Sequence, residues 1–194
     1  MPKPVPWDWA APRMLPFLSG PRFDEPGESL VRAQSPIGPM VEFGVDLGGA
    51  FTYVDEQVAR RWECSPAQLM ERSLQNLEVR AARIDGVQVV SGVMSGRSIR
   101  LLRDRPTWAT SLLLAPDQLF RLFGDHDQIL GTPTSSCLVS LPADTPPLIV
   151  ADIVVDLERR ALRPLWLGAF VLSDRRIRWC DDPSEDDDPD GWTS

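Results

Sequence analysis

The sequence predicts an α+β fold: a mixed, mainly antiparallel sheet built from hairpins, with three or four packed helices in a single domain. Three observations carry that expectation. Apolar residues alternate at period two in short runs, and these runs come in pairs separated by turn residues. Helix-start signals and helical apolar spacing lie between the pairs, most clearly over 65–81. No internal repeat and no second domain boundary interrupt the order, and 194 residues suit one domain.

Taken along the chain, residues 1–28 are rich in proline and tryptophan, and Trp7, Trp9, Phe17 and Phe23 are too apolar for a free linker. An arm packed irregularly on the body is expected there. SLVRAQ (29–34) reads as a short strand, after which Pro36, Gly38 and Pro39 break the chain. MVEFGVD places Val41, Phe43 and Val45 on one side, the period of a half-buried strand. FTYV follows after LGG, so a hairpin is expected, with Gly48 or Gly49 supplying a positive φ.

Asp55 is positioned to cap a short helix, DEQVARRW. Ser65-Pro66-Ala67-Gln68 is a capping box with proline at the first helical position, where its missing N–H costs nothing. Leu69, Met70, Leu74, Leu77 and Ala81 then recur at helical spacing. DGVQVVSGVM and RSIRLLRD read as a strand pair about Ser95-Gly96, and WATSLLL as a strand or a helical turn. Pro116 opens a helix that Gly124 ends, and DQILGT with SCLVSLP reads as a hairpin around Pro133-Thr134-Ser135. PPLIVADIVVDLERRAL is longer than strands usually run, which favours helix. WLGAFVLSD and RRIRWC form a closing hairpin about Ser173-Asp174. The expected organisation is the arm 1–28, one α+β domain over 29–180, and a disordered acidic tail over 181–194.

The net charge of −8 belongs to that tail: DDPSEDDDPDGWTS holds seven acids and no base, leaving 21 acids against 20 bases elsewhere. A body so nearly neutral lacks the cationic surplus of a general nucleic-acid binder. Cys64, Cys137 and Cys180 are odd in number and far apart, with no CxxC, which fits buried thiols in a reducing compartment. One histidine and scattered thiols do not make an ordinary zinc site, so no metal is expected. The proline-broken N-terminus lacks the apolar core of a signal peptide, and no apolar run approaches the ~18 residues of a membrane span. A soluble cytoplasmic protein without a cofactor is the expectation.

Two short patterns invite a chemical reading. GVDLGGAF resembles the first phosphate-binding hairpin of actin-like ATPases and sugar kinases, where Asp46, Gly48 and Gly49 would approach phosphate and magnesium. That fold needs two lobes and a second phosphate loop, and only Asp85-Gly86 faintly offers one, so a tight turn is the better reading. Asp125-His126-Asp127 surrounds the single histidine with carboxylates, and Cys137 would be its nucleophilic partner if the strand register allowed. Polar residues after a helix-ending glycine are also what a helix-to-strand loop contains. The common hydrolase and nucleotide signatures GxSxG, GxxxxGK[ST] and HExxH do not occur. Asp152 and Asp156 share a helix face and read as solvated. The seven tryptophans read as staples holding the arm and the closing hairpin to the core.

YVDEQVARRWECSPAQLMERSLQNL, ending in Asn76-Leu77, and WATSLLLAPDQLFRLFGDHDQILGTPTSSCLVSLP carry a further likeness. Ala109, Ser111, Leu112, Leu113, Pro116, Asp117, Gly124 and Pro133 complete it. Over 41–180 the chain resembles the DUF1444 (UPF0354) family of bacterial proteins. It departs from that pattern at Ser135-Ser136, where the family has Arg-Asp, and in the DHD insert. The resemblance implies a fold and a cellular setting and carries no activity. The sequence thus points to a non-catalytic accessory or regulatory protein with a protein partner of unknown identity. The alternative is a small hydrolase or transferase using Asp125, His126, Asp127 and Cys137.

Overall fold

The computed structural model describes residues 5–19, 29–48, 50–103, 108–159, 165 and 167–180. The acidic segment 181–194, Gly49, and arm residues 1–4 and 20–28 lie outside the described residues. The fold is α+β, with helices and two antiparallel sheets. Five α-helices are described: α1 (Trp7–Ala10), α2 (Glu56–Arg61), α3 (Pro66–Ala81), α4 (Pro116–Phe123) and α5 (Pro147–Glu158).

The first sheet contains β1 (Met14–Ser19), β2 (Arg32–Gln34), β3 (Met40–Asp46) and β4 (Phe51–Tyr53). Its order is β1-β3-β2, with β4 also on β3. β3 is buried on both faces rather than one. On the face opposite Val41, Phe43 and Val45, Glu42 is 2% exposed and meets Arg32 directly across the register, Nε to Oε1 at 3.1 Å. A buried carboxylate is tolerated because it is paired.

The irregular arm is corrected in part. Met14–Ser19 is a strand, every residue of it buried, antiparallel to β3 from Met14↔Val45 to Ser19↔Met40. Pro16 is admissible because β1 is the sheet's edge, where a missing N–H breaks no ladder. Phe17 crosses over Gly44 of β3 to meet Phe51 and Tyr53 edge-on at 4.8 and 5.7 Å. A Cβ on Gly44 would stand 2.7 Å from the Phe17 ring, so only glycine leaves that path open.

Two side chains dock this edge. Asn76 of α3 donates from Nδ2 to the carbonyls of Ala11 (2.7 Å) and Met14 (2.9 Å). Buried Ser111 donates to Pro16 O at 2.6 Å. Ser111 belongs to Ala109–Leu114, which the sequence left as strand or turn and which is a 3₁₀ segment. Trp7 and Trp62 act as the staple expected for the arm: their rings lie 5.5 Å apart, tilted at 52°, and Trp62 donates to Val5 O at 2.9 Å.

The second sheet contains β5 (Val89–Met94), β6 (Arg97–Arg103), β7 (Gln128–Thr134), β8 (Cys137–Pro142), β9 (Ala169–Ser173) and β10 (Arg176–Trp179), in the order β10-β9-β7-β8-β6-β5. Leu102, Leu130, Leu138, Phe170 and Leu172 face the core shared with the first sheet, α3 and α4. Ile99, Leu101, Val139 and Leu141 face the other way, against Val150, Ile153 and Val154 of α5. Helix is thus the outcome for the ambiguous 147–158 run. Gly131 admits it closely, since a Cβ there would lie 2.8 Å from Val154 Cγ2. The β7–β8 turn falls at Ser135-Ser136, one step beyond the expected one, because Pro133 sits within β7 where the register shifts.

Replacing Asn76 by alanine removes the side-chain donor shared by the carbonyls of Ala11 and Met14, of which Ala11 O keeps only the Met14 N–H. Urea denaturation is expected to show a loss of about 2 kcal/mol, with the slope unchanged.

Candidate functional site

The GVDLGG turn is built around one carboxylate. β3 ends at Asp46, paired with Phe51, and Leu47 N–H donates to Ala50 O at 2.8 Å. Gly48 takes φ +86°, and its N–H donates to Asp46 Oδ1 at 2.8 Å. Asp46 Oδ2 accepts from Arg80 Nη1 at 2.6 Å, tying the hairpin to the last turn of α3. A phosphate loop would turn such an N–H outward toward the ligand. Here it turns inward onto the aspartate.

The histidine loop is organised from beneath. α4 ends at Gly124, whose φ of +93° lets the chain reverse while its N–H bonds Phe120 O at 2.8 Å. Three carbonyls then converge on one buried amide: Gln128 Nε2 donates to Phe123 O (3.3 Å), Gly124 O (2.9 Å) and His126 O (3.1 Å). Ser140 of β8 donates to Gln128 Oε1, and Arg100 of β6 donates to Phe123 O. Three neighbouring strands thus supply a polar row that receives the negative end of α4. The side chains of Asp125, His126 and Asp127 are exposed, and the His126 ring lies beside Gly124, where a Cβ would stand 3.2 Å from its Cε1 and Nδ1.

The register keeps His126 from Cys137. β7 opens with Gln128 opposite Pro142, two residues after His126, whereas Cys137 is opposite Thr134 at the other end. Five residue steps along β8, from Cys137 to Pro142, separate the ends, about 16 Å. Cys137 is buried in the layer beneath α5. Nucleophile and base are not brought together.

Other candidate groups are dispersed. Asp152 and Asp156 are exposed on α5. Cys64 donates to Trp62 O at 3.3 Å, and burial pushes its thiol pKa up, which favours the unreactive protonated form. None of the three cysteines is in a disulfide, and of the buried thiols expected only Cys137 is buried, Cys64 being half-buried and Cys180 exposed. Among the described residues no three metal-ligating side chains gather, and no helix is long and apolar enough to cross a membrane.

No family model, characterised protein or solved structure matches the chain. Its surface therefore carries the functional argument.

Two surface features went unread in the sequence. One is the outer edge of β5, where Val90 and Val93 are 51% and 72% exposed, preceded by Val87 at 82%. The signal was present, since 87–94 (VQVVSGVM) contains no charge and no proline. The other is an apolar cavity of about 150 Å³ between β4 and α2, whose lining includes Val45, Tyr53, Val58, Arg61 and Trp62.

Gln128→Leu should cost about 2–3 kcal/mol in urea denaturation, because three carbonyls lose their shared donor. Asp125→Asn, His126→Gln and Asp127→Asn should each stay within about 0.5 kcal/mol, as exposed loop positions do. Glu158 gives a pH test. Its Oε1 is buried without a hydrogen-bond partner among the described residues, and burial raises the carboxyl pKa above its ordinary value. The folded state therefore holds this proton more tightly than the unfolded chain. The resulting stability is full below the ordinary carboxyl range and is lost as pH rises through the raised value. Glu158→Gln should unfold at a higher temperature than wild type near pH 7, with the difference closing at about pH 3.5.

Proposed function

We propose that the protein is a non-catalytic accessory domain that binds a protein partner by strand addition along β5. One observation carries this reading: among the described residues, β5 is the sheet edge left without protection. β1 is buried, β2 and β4 are three residues each, and β10 presents Arg176 and Arg178 outward. Short edges, buried edges and charged edges all discourage pairing. β5 offers six residues without charge, proline or bulge, antiparallel to β6 throughout from Val89↔Leu102 to Met94↔Arg97.

The fitting partner is an extended, uncharged segment with β-branched residues at alternate positions. Added as a seventh strand, it would bond the outward N–H and C=O groups of β5. It would also cover Val90 on one face and Val93 on the other. A charged segment would lose solvation beside these valines without gaining an ion pair. Membership of the DUF1444 family and a bacterial cytoplasmic setting belong to the same proposal, and neither supplies an activity. The hydrolase alternative has no observation in its favour, because His126 and Cys137 stand at opposite ends of a hairpin.

Val90→Lys combined with Val93→Lys in the full chain should leave stability within about 1 kcal/mol, both sites being exposed. A partner recovered with the wild type, then purified and titrated by calorimetry, should bind the double variant at least tenfold more weakly. Equal affinity for both proteins would overturn the reading.

A further inference from the structure

The cavity between β4 and α2 combines an apolar floor with one unanswered charge. Val45, Val54 and Val58 line it beside Trp62, and Arg61 is the charged residue in its wall. Arg61 is exposed, with no ion pair or hydrogen bond among the described residues. Among the described residues the adjacent Arg60 reaches only Glu56, at 3.8 Å, and both of those side chains are largely solvated. The site thus suits an aromatic group carried on an acidic chain. The aromatic body would enter the apolar floor, and carboxylates would meet the guanidinium groups at the rim.

Residues 181–194 of the same chain have that chemistry. They contain seven acids, no base and a single aromatic residue, Trp192, which follows Asp190 and Gly191. Their point of departure is also suitable. Trp179 lies against Gly38, where a Cβ would stand 2.5 Å from its ring. The cavity lies near Val45, seven residues further along the same chain path, at most about 24 Å away at the rise of an extended strand. Trp192 lies twelve residues beyond Cys180, enough for about 40 Å of extended chain.

We infer that segment 181–194 docks in cis on this cavity, with Trp192 inserted against Val58 and Trp62 and the neighbouring aspartates set on Arg61 and Arg60. The docked segment satisfies a cation that the described residues leave unpaired. It also removes an apolar cavity from solvent. The site lies on the first sheet, apart from the β5 edge on the second, and does not depend on it.

The test is carried out on full-length protein by nitrogen–proton NMR, reading the Trp62 and Trp192 indole signals and the amides of Thr52, Tyr53 and Val58. Docking predicts that Trp192→Ala shifts the Trp62 indole and these amides. It also predicts that Arg61→Glu returns the Trp192 indole to the position of a free indole, and that raising salt to about 0.5 M moves the wild-type spectrum toward that of Trp192→Ala. Coincident cavity signals in wild type and Trp192→Ala would overturn the inference. So would shifts that grow with protein concentration, because the occupant would then be a second copy.

Discussion

A strand with every residue buried must hand each of its backbone groups to a partner, and β1 is such a strand on the edge of its sheet. Its inner side is answered by β3. On its outer side, Asn76 reaches down from α3 to the carbonyls of Ala11 and Met14, and Ser111 reaches from the 3₁₀ segment to Pro16 O. These few polar side chains fix the seat of α3 and of the segment that leads into α4. They also decide which edges of the molecule are closed. An uncovered apolar β1 would be an aggregation hazard, so the surrounding polar groups act as its seal.

The same economy explains the two chemical-looking motifs. Asp46 spends one oxygen on the Gly48 amide and the other on Arg80. The histidine loop is held by its carbonyls on Gln128 while its side chains face water. At the first reversal the carboxylate is taken up by a backbone amide and an arginine, and at the second the backbone is held while the reactive-looking side chains stay exposed. β5 is the counterexample. Its outward groups have no strand neighbour among the described residues, and valines flank them on both faces. Recognition is therefore most economically placed where the fold leaves backbone polarity unspent.

The legible parts of the sequence were those whose cause is local. The Ser65–Gln68 capping box is present with both bonds, Asp55 caps α2 through the Val58 N–H, and α4 stops at Gly124. The Ser95-Gly96 hairpin falls where expected, whereas the closing turn falls at Asp174-Arg175, one residue beyond the expected Ser173-Asp174, and all four turn residues take positive φ. What stayed hidden depends on residues distant in the chain. MLPFLS reads as broken by Pro16 until the edge position and the serine 95 residues away are known. Glu42 looks solvent-facing until Arg32 is found across the register. Gln128, the centre of the histidine loop, looks like an ordinary polar residue because its three acceptors are main-chain carbonyls, which no side-chain motif encodes. The separation of His126 from Cys137 likewise follows from register, which spacing alone could not supply.

Amide hydrogen exchange followed residue by residue tests the contrast between the two edges most directly. A sealed β1 requires Leu15, Phe17 and Leu18 to exchange only with global unfolding, as the centre of β3 does. An open β5 requires its outward amides to exchange orders of magnitude faster than the alternate amides bonded to β6. Exchange in β1 as rapid as at the outer edge of β5 would contradict the account.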